Sequence, residues 1–458
     1  MVGPDYQRPE VTLPPQWRLT PQQAGQLANI QWWDQFQDPQ LSKLTQTALQ
    51  GNLDLIRATA VVQEYYGRYG VSRSALFPQL GADASYNRYQ MSELTSPPGT
   101  GHAFNDLSAA LGLAWELDFW GRIRRGNEAT WADILSQEAN RRAVVLSLVS
   151  AVASAYLDLR TFDAQLEVSK ETWQTRRKAL TLMQDRFKAG VISQLDVRQA
   201  ESEVLTAEAA IPALEQAIAT TENALSVLLG QNPGPISRGK TLAELNQAHT
   251  IPADLPSQLI EQRPDVVSAE QGLIAANARI GVARAGYFPS ISLTGSYGYA
   301  GTQLNDWFKN PGQAWAFGPE ISLPIFTAGR IAGQVEVAES QKAQALAAYK
   351  QSILNAMREV NDALVSFQKT GERESLIGRQ VQVLGDYLAL SQARYDEGQT
   401  SYLEVLDAER RLFEVKLNYI NLQNQRSQQF VKVFSSLGGG WVTKADEMTV
   451  AGNTGMPR

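Results

Sequence analysis

Cysteine is absent from the 458 residues, and histidine occurs only twice. Without thiols there is no disulfide scaffold, no Cys-ligated zinc or iron–sulfur site and no cysteine nucleophile. No basic cluster is present either: 41 Lys+Arg face 47 Asp+Glu, a formal charge of −6, which argues against nucleic acid as a partner. No apolar run reaches the roughly 18 residues that a transmembrane helix needs. The nearest, Ala143 to Leu157, carries three Ser and is fenced by Arg142 and Asp158, so it reads as a tightly packed helix interface. At 43% hydrophobic residues the chain is nevertheless too apolar for disorder. His102 and His249 fall in loop segments without neighbouring ligands, and no Ser/His/Asp constellation is discernible. Neither an enzyme nor a metal or other cofactor is expected. No signal peptide opens the chain, which fits a cytosolic protein or a mature exported one.

What the sequence does contain is a tandem repeat. Asp54, Ala58, Gly70, Arg73, Phe77 and Pro78 return as Asp265, Ala269, Gly281, Arg284, Phe288 and Pro289, all offset by 211. Gly121-Arg122-Ile123 returns as Gly329-Arg330-Ile331, and Arg186 to Glu201 returns as Arg394 to Glu409, both offset by 208. Leu229-Gly230 matches Leu437-Gly438 in the same way. The expected organisation is a first repeat over 41–229 and a second over 256–437. The extra segments 1–40, 230–255 and 436–458 lie outside both. Each repeat reads as helix, β-hairpin (79–119 and 290–325), long helix and return helix.

The hairpins rest on period-2 alternation. Leu80, Ala82, Ala84 and Tyr86 oppose Gly81, Asp83, Ser85 and Asn87, and the run from Leu107 to Phe119 alternates likewise. Ile291, Leu293, Tyr297 and Tyr299, then Trp315, Phe317, Ile321 and Leu323, repeat the scheme. The loops Met91 to Asn105 and Ala300 to Gly312 have the Ser, Pro, Gly and Asn of exposed turns. After the first hairpin come 63 residues without Gly or Pro, between Gly126 and Gly190. At 1.5 Å per residue these would reach about 95 Å, and the helix before each hairpin about 55 Å. Gly371, Gly378 and Gly385 weaken the middle of the second long helix.

Four strands with one apolar, aromatic-bearing face have nothing else β-rich to pack against. They fit a membrane β-barrel, apolar outside and polar inside, with Leu111, Leu113, Trp115, Tyr297, Trp315 and Phe317 facing lipid. Lipid does not tolerate an open sheet edge, and four strands cannot enclose a lumen, so several chains must share one barrel. Two chains would give a plugged eight-stranded barrel. Three give twelve strands and a channel, the favoured reading, continued on one side of the membrane by a helical tube.

On these residues the chain resembles the outer membrane factors of Gram-negative bacteria, the TolC/OprM-type channels of tripartite efflux pumps. The resemblance rests on Val2-Gly3-Pro4-Asp5-Tyr6 with Pro9, Trp32-Trp33 with Phe36 and Asp38-Pro39, and Trp115-Glu116-Leu117-Asp118 with Gly121-Arg122. Arg263-Pro264-Asp265, Phe288-Pro289 and Leu437-Gly438-Gly439-Gly440-Trp441 complete it. It implies a homotrimer with a twelve-stranded barrel in the outer membrane, a helical barrel in the periplasm and a girdle built from the three extra segments. It further implies a passive duct for small molecules, drugs or other toxic compounds. The implied partners are a periplasmic adaptor, an inner-membrane pump of the proton-driven RND type and outer membrane lipid. Metal-ion efflux and type I protein secretion are the alternatives within this class, and a non-pore coiled-coil scaffold is the rival outside it. Members of the OprM-like branch carry a lipidated Cys just ahead of the Gly-Pro-Asp-Tyr segment. Here there is Met1 and no Cys, so a chain beginning behind the lipid site is expected.

Three motifs bear on function. Gly234-Pro235-Ile236-Ser237-Arg238-Gly239-Lys240-Thr241 fits the phosphate-loop pattern, but Pro235 removes a donor and no βαβ series surrounds it, so nucleotide binding is not expected. Gly190 to Ser193 and Gly398 to Ser401 read as helix-end turns, the Gly as a left-handed cap and the Ser as an N-cap. Asp196 and Glu404 would close the capping boxes. The two turns would form the far tip of the tube, where the adaptor docks. Between the tips, Asp407 replaces Gln199 and Arg410 replaces Ser202, and Leu403, Asp407 and Arg410 share one helix face. Threefold symmetry would make them rings. The resemblance implies a periplasmic gate with Leu403 as collar, Asp407 and Arg410 as polar ring and lock, and Tyr395 bracing neighbouring helices.

Overall fold

A computed structural model describes residues 1–9, 31–92, 94, 103–246, 257–303, 305, 309–438 and 441–449. His102, His249, most of the loop Met91 to Asn105 and parts of the expected girdle segments 1–40, 230–255 and 436–458 lie outside the described residues. In chain order the elements are α1 (Pro39–Gly51), α2 (Leu53–Ser74), β1 (Gln79–Gln90), β2 (Ala103–Glu116), α3 (Arg122–Lys188) and α4 (Gln194–Leu228). After the short α5 (Leu242–Leu245) come α6 (Pro264–Ala285), β3 (Ser290–Gly301), β4 (Gln313–Ser322), α7 (Arg330–Asp396), α8 (Tyr402–Leu437) and α9 (Trp441–Glu447). The chain divides into two compact units that cut across the sequence repeats. One comprises Met1–Glu10, Val61–Glu138 and Ser268–Lys350, and the other Val11–Ala60, Ala139–Val267 and Gln351–Arg458.

The first unit holds one antiparallel sheet in the order β1-β2-β3-β4. Its base is strapped by the first residues of the chain. The Val2 N–H donates to the Trp120 carbonyl at 2.9 Å, Asn277 donates to the Pro4 carbonyl at 2.9 Å, and Asp5 pairs with the buried Arg125 at 2.5 Å. Tyr6 and Arg8 both donate to Glu270.

The second unit is built on an aromatic cluster. Trp32 lies within 5.8–6.4 Å of the rings of Trp33, Phe36, Phe430, Phe434 and Trp441. Such contacts add about 0.5–1.5 kcal/mol each beyond the area they bury. Beside it Asp38 caps α1 from one oxygen, accepting from the N–H of Gln40 at 2.8 Å, and accepts the Tyr156 hydroxyl on the other at 2.7 Å. α3 has a stretch apolar enough by composition to cross a membrane. Its Val145, Val149, Val152, Ala153, Tyr156 and Leu157 are buried in this core, in keeping with a packed helix interface.

Several expected lengths change. The helical run before the first hairpin is two helices, because Asn52 ends α1 with its N–H on the Ala48 carbonyl and starts α2 by accepting from Leu55 at 3.0 Å. In the second repeat α6 begins only at Pro264 and has 22 residues, about 33 Å rather than 55. Proline suits a first turn, where no N–H is needed. α7 runs 67 residues without a break through Gly371, Gly378 and Gly385. β2 stops at Glu116 although alternation continues to Phe119. The chain turns there because Asp118 accepts from Ile123 at 3.1 Å and Arg124 at 2.9 Å, capping α3. β4 likewise ends at Ser322.

Candidate functional site: an apolar sheet face and a pair of helix turns

The strand register places the alternating residues of all four strands on common faces. Leu80 pairs with Leu113, Leu113 with Gly295 and Gly295 with Phe317. The next row is Ala82, Leu111, Tyr297 and Trp315. On the opposite face lie Gly81, Gly112, Ser296 and Ala316, then Asp83, Ala110, Gly298 and Ala314. Leu80 is 80% exposed, Leu111 60%, Trp315 68% and Phe317 62%. Tyr297 is exposed too, and Leu113 is half-buried. Among the described residues this apolar surface has no partner, which is what a face meant for another phase or another molecule looks like. Trp115 departs from the expectation of open lipid contact. It is half-buried at the end of β2 and donates its indole N–H to the Leu76 carbonyl at 3.0 Å.

In the second unit the two glycine turns come together. Gly190 has φ +71° and Gly398 φ +73°, conformations that cost a side-chain-bearing residue about 1–2 kcal/mol. In each turn two N–H groups reach back over the last helical turn, Gly190 to Phe187 with Val191 to Arg186, and Gly398 to Tyr395 with Gln399 to Arg394. Met183, Ala200, Tyr402, Val405 and Leu406 form the core between them. Ser193 and Asp196 close the expected capping box. Ser401 does not: its side chain makes no cap bond. Glu404 is held instead by Arg394 at 2.9 Å and Thr400 at 2.5 Å.

The residues expected at the gate are only partly joined within one chain. Asp407 accepts from Arg410 at 3.0 Å and pairs with Arg411 at 2.8 Å, a second cation that the sequence reading passed over. Leu403 is 57% exposed and open to solvent. Tyr395 is separate from these. Its hydroxyl accepts from Arg186 of α3 at 2.6 Å, and its ring lies 5.2 Å from that of Tyr402. The repeat itself held the signal for Arg186, the counterpart of Arg394.

The sequence profile of the family described as "Outer membrane efflux protein" matches residues 44–231 and 255–439, most of the chain. The chain belongs to the outer membrane efflux protein family. The solvent efflux pump outer membrane protein SrpC of Pseudomonas putida is 37% identical over 96% of this chain and 95% of its own. The cation efflux system protein CusC of Escherichia coli O157:H7 is 35% identical over 96% and 95%. Among solved structures, CusC superposes with a TM-score of 0.87 at 35% identity, covering 95% of this chain and 99% of its own. The open-state outer membrane channel MtrE of Neisseria gonorrhoeae gives 0.86 at 30%, covering 96% and 98%.

For an outer membrane efflux protein, the phosphate-loop pattern needs a different account, and the structure gives it. The element that leads into Gly234–Thr241 is the helix α4, not a strand. The Gly239 N–H donates to the Tyr156 hydroxyl at 2.9 Å, and that of Lys240 to Asp38 at 3.0 Å. Arg238 is taken by Asp163 and Glu222. Thr241 caps α5 with Glu244. The Gly239 and Lys240 N–H groups and the Arg238 guanidinium are thus held by three carboxylates and a hydroxyl, so the segment is a clasp on the core of this efflux protein.

Proposed function

We propose that three copies of this outer membrane efflux protein close one twelve-stranded barrel and form a passive exit duct. The observation that carries this reading is the sheet: among the described residues, four strands, one exposed apolar face, and β1 and β4 each with a single neighbour. In lipid those two edges must find partners, and three sheets joined β4 to β1 satisfy them with a ring wide enough to conduct. Segments 1–40, 230–255 and 436–458 would form a girdle around the repeats. The duct would receive small toxic molecules from a periplasmic adaptor and a proton-driven inner-membrane pump. Since SrpC is named for solvents and CusC for cations, we assign the choice of cargo to the pump and the conduit to this chain.

Gating is assigned to the second turn. Three copies of Leu403 would form a collar, and three of Asp407, each tied to Arg410, a polar ring that narrows the lumen by charge and dewetting. The adaptor would open it by docking at Gly190, Ser193, Gly398 and Ser401 and splaying α8. The test pairs native mass in detergent with single-channel conductance in planar bilayers. The expected result is three times the monomer mass, with low conductance that rises in Asp407→Ala/Arg410→Ala at unchanged trimer content. A detergent-free soluble monomer would overturn the barrel. Parental conductance in the double variant, with a change in Gln199→Ala instead, would place the gate on the first turn.

A further inference from the structure

A cavity of about 240 Å³ lies in the second unit between α3, α7 and α8, beside the helix that carries the proposed gate. Charge at its wall is incompletely paired. Arg176 of α3 is 3% exposed, with its guanidinium 5.2 Å from the Phe413 ring. Its Nη1 lies 2.9 Å from Glu203 Oε2 of α4, yet donates its hydrogen bond to the Glu203 main-chain carbonyl, also at 2.9 Å. Glu203 Oε2 therefore accepts nothing, and Arg176 Nε and Nη2 donate to nothing. Glu409 of α8 stands on the cavity wall with Arg176, and its Oε2 is buried without a hydrogen-bond partner.

One buried guanidinium thus serves two carboxylates that are themselves half-buried. Glu171 of α3 and Lys416 of α8 sit at the cavity lining, Tyr402 of α8 is close enough to feel both carboxylates, and α7 contributes only Leu388. A largely buried charge without a full partner is unfavourable, and taking up a proton relieves it. Burial pushes the Glu409 carboxyl above the ordinary carboxylate range, with Arg176 opposing the rise and Glu203 adding to it.

We propose that Glu409 is a proton-operated latch that fastens α8 to α3 and α4, so that mild acid holds the gate shut without any partner protein. Protonation leaves one carboxylate for one guanidinium. It also gives the wall an O–H donor, where neither Glu409 Oε2 nor Glu203 Oε2 has a hydrogen-bond partner. The sign follows from the direction of the shift. A carboxyl that is harder to ionise in the folded state than in the unfolded one adds stability at low pH, and that contribution is lost as pH rises through its folded value. The latch is therefore fastened in acid and loosened toward neutral pH. This inference rests on the gate reading, because a tethered α8 matters to conduction only if α8 carries the constriction.

The experiment uses the full chain reconstituted in bilayers, with conductance followed from about pH 7.5 to about pH 5, across the range in which a raised carboxyl titrates. The low conductance of the parental channel is expected to fall further as pH falls. Glu409→Gln, neutral at every pH, should stay at the parental acid level with a flat profile. Glu203→Gln removes the like charge and should move the transition to lower pH. In parallel, carbon NMR of labelled Glu side chains reads the Glu409 ionisation directly, with or without a working gate. A Glu409 that titrates in the ordinary range near 4.3 overturns the latch. So does a parental pH profile in Glu409→Gln, or a profile lost only in Asp407→Asn. An elevated Glu409 transition by NMR with no pH effect on conductance would keep the proton site and sink the gate assignment.

Discussion

Ser193 and Ser401 occupy equivalent positions in two turns whose sequences match, and they do different work. Ser193 accepts the Asp196 N–H, while Glu404 is diverted to Arg394 and Thr400. The cause lies in three neighbours. Thr400 has the hydroxyl that its counterpart Ile192 lacks, and Arg186, the counterpart of Arg394, is drawn away to Tyr395, whose own counterpart Phe187 offers no oxygen. Losing a working N-cap costs about 0.5–2 kcal/mol. Ser193→Ala should therefore lower thermal stability and amide-exchange protection at its turn, and Ser401→Ala should leave both nearly unchanged. Equal losses would show that the two caps are equivalent. Tyr156→Phe is a sharper test of the core. It strips Asp38 of a donor and orphans the Gly239 N–H, and should cost about 1–3 kcal/mol in denaturant unfolding.

At the scale of the element, the sheet makes a directional prediction. Tyr297 and Ser296 are neighbours on β3 that face opposite sides. Tyr297→Arg sets a cation on the apolar face, where the penalty near mid-membrane is about 2–4 kcal/mol, and should cut the yield of heat-resistant oligomer in membranes. Ser296→Arg should assemble normally and alter conductance instead. The reverse pattern would turn the sheet inside out. Alternation was enough to read these faces from sequence, since period 2 is a local property that the register merely repeats across strands. The ends of elements were not legible in the same way. Phe119 continues the alternation of β2, but Asp118 is pulled out of the strand to cap α3. Asn52 breaks a helical run because its amide also reaches the Leu228 carbonyl at 3.0 Å, 176 positions away. Such competition is decided by distant chain, and no window of sequence contains it. The shared face of Leu403, Asp407 and Arg410 on α8, the proposed gate, follows from helical spacing, whereas the Arg176, Glu203 and Glu409 cluster joins three helices and has no sequence pattern.

For the whole molecule, the two turns should separate assembly from coupling. Gly190→Pro and Gly398→Pro alter only the turns between helices, and should leave trimer content intact while export through the complete pump is lost. Undiminished export would remove the turns from the docking surface. The unpaired edges of β1 and β4 carry a further consequence, and it is genetic. In the proposed ring every barrel contains three such seams, each made by two different copies. A subunit with a spoiled edge therefore disables the partners it joins as well as itself. If normal and defective subunits are made in equal amounts and mix at random, only about one ring in eight is wholly normal. An edge-breaking allele of this protein should thus be dominant over the wild type, while an allele that prevents synthesis should be recessive.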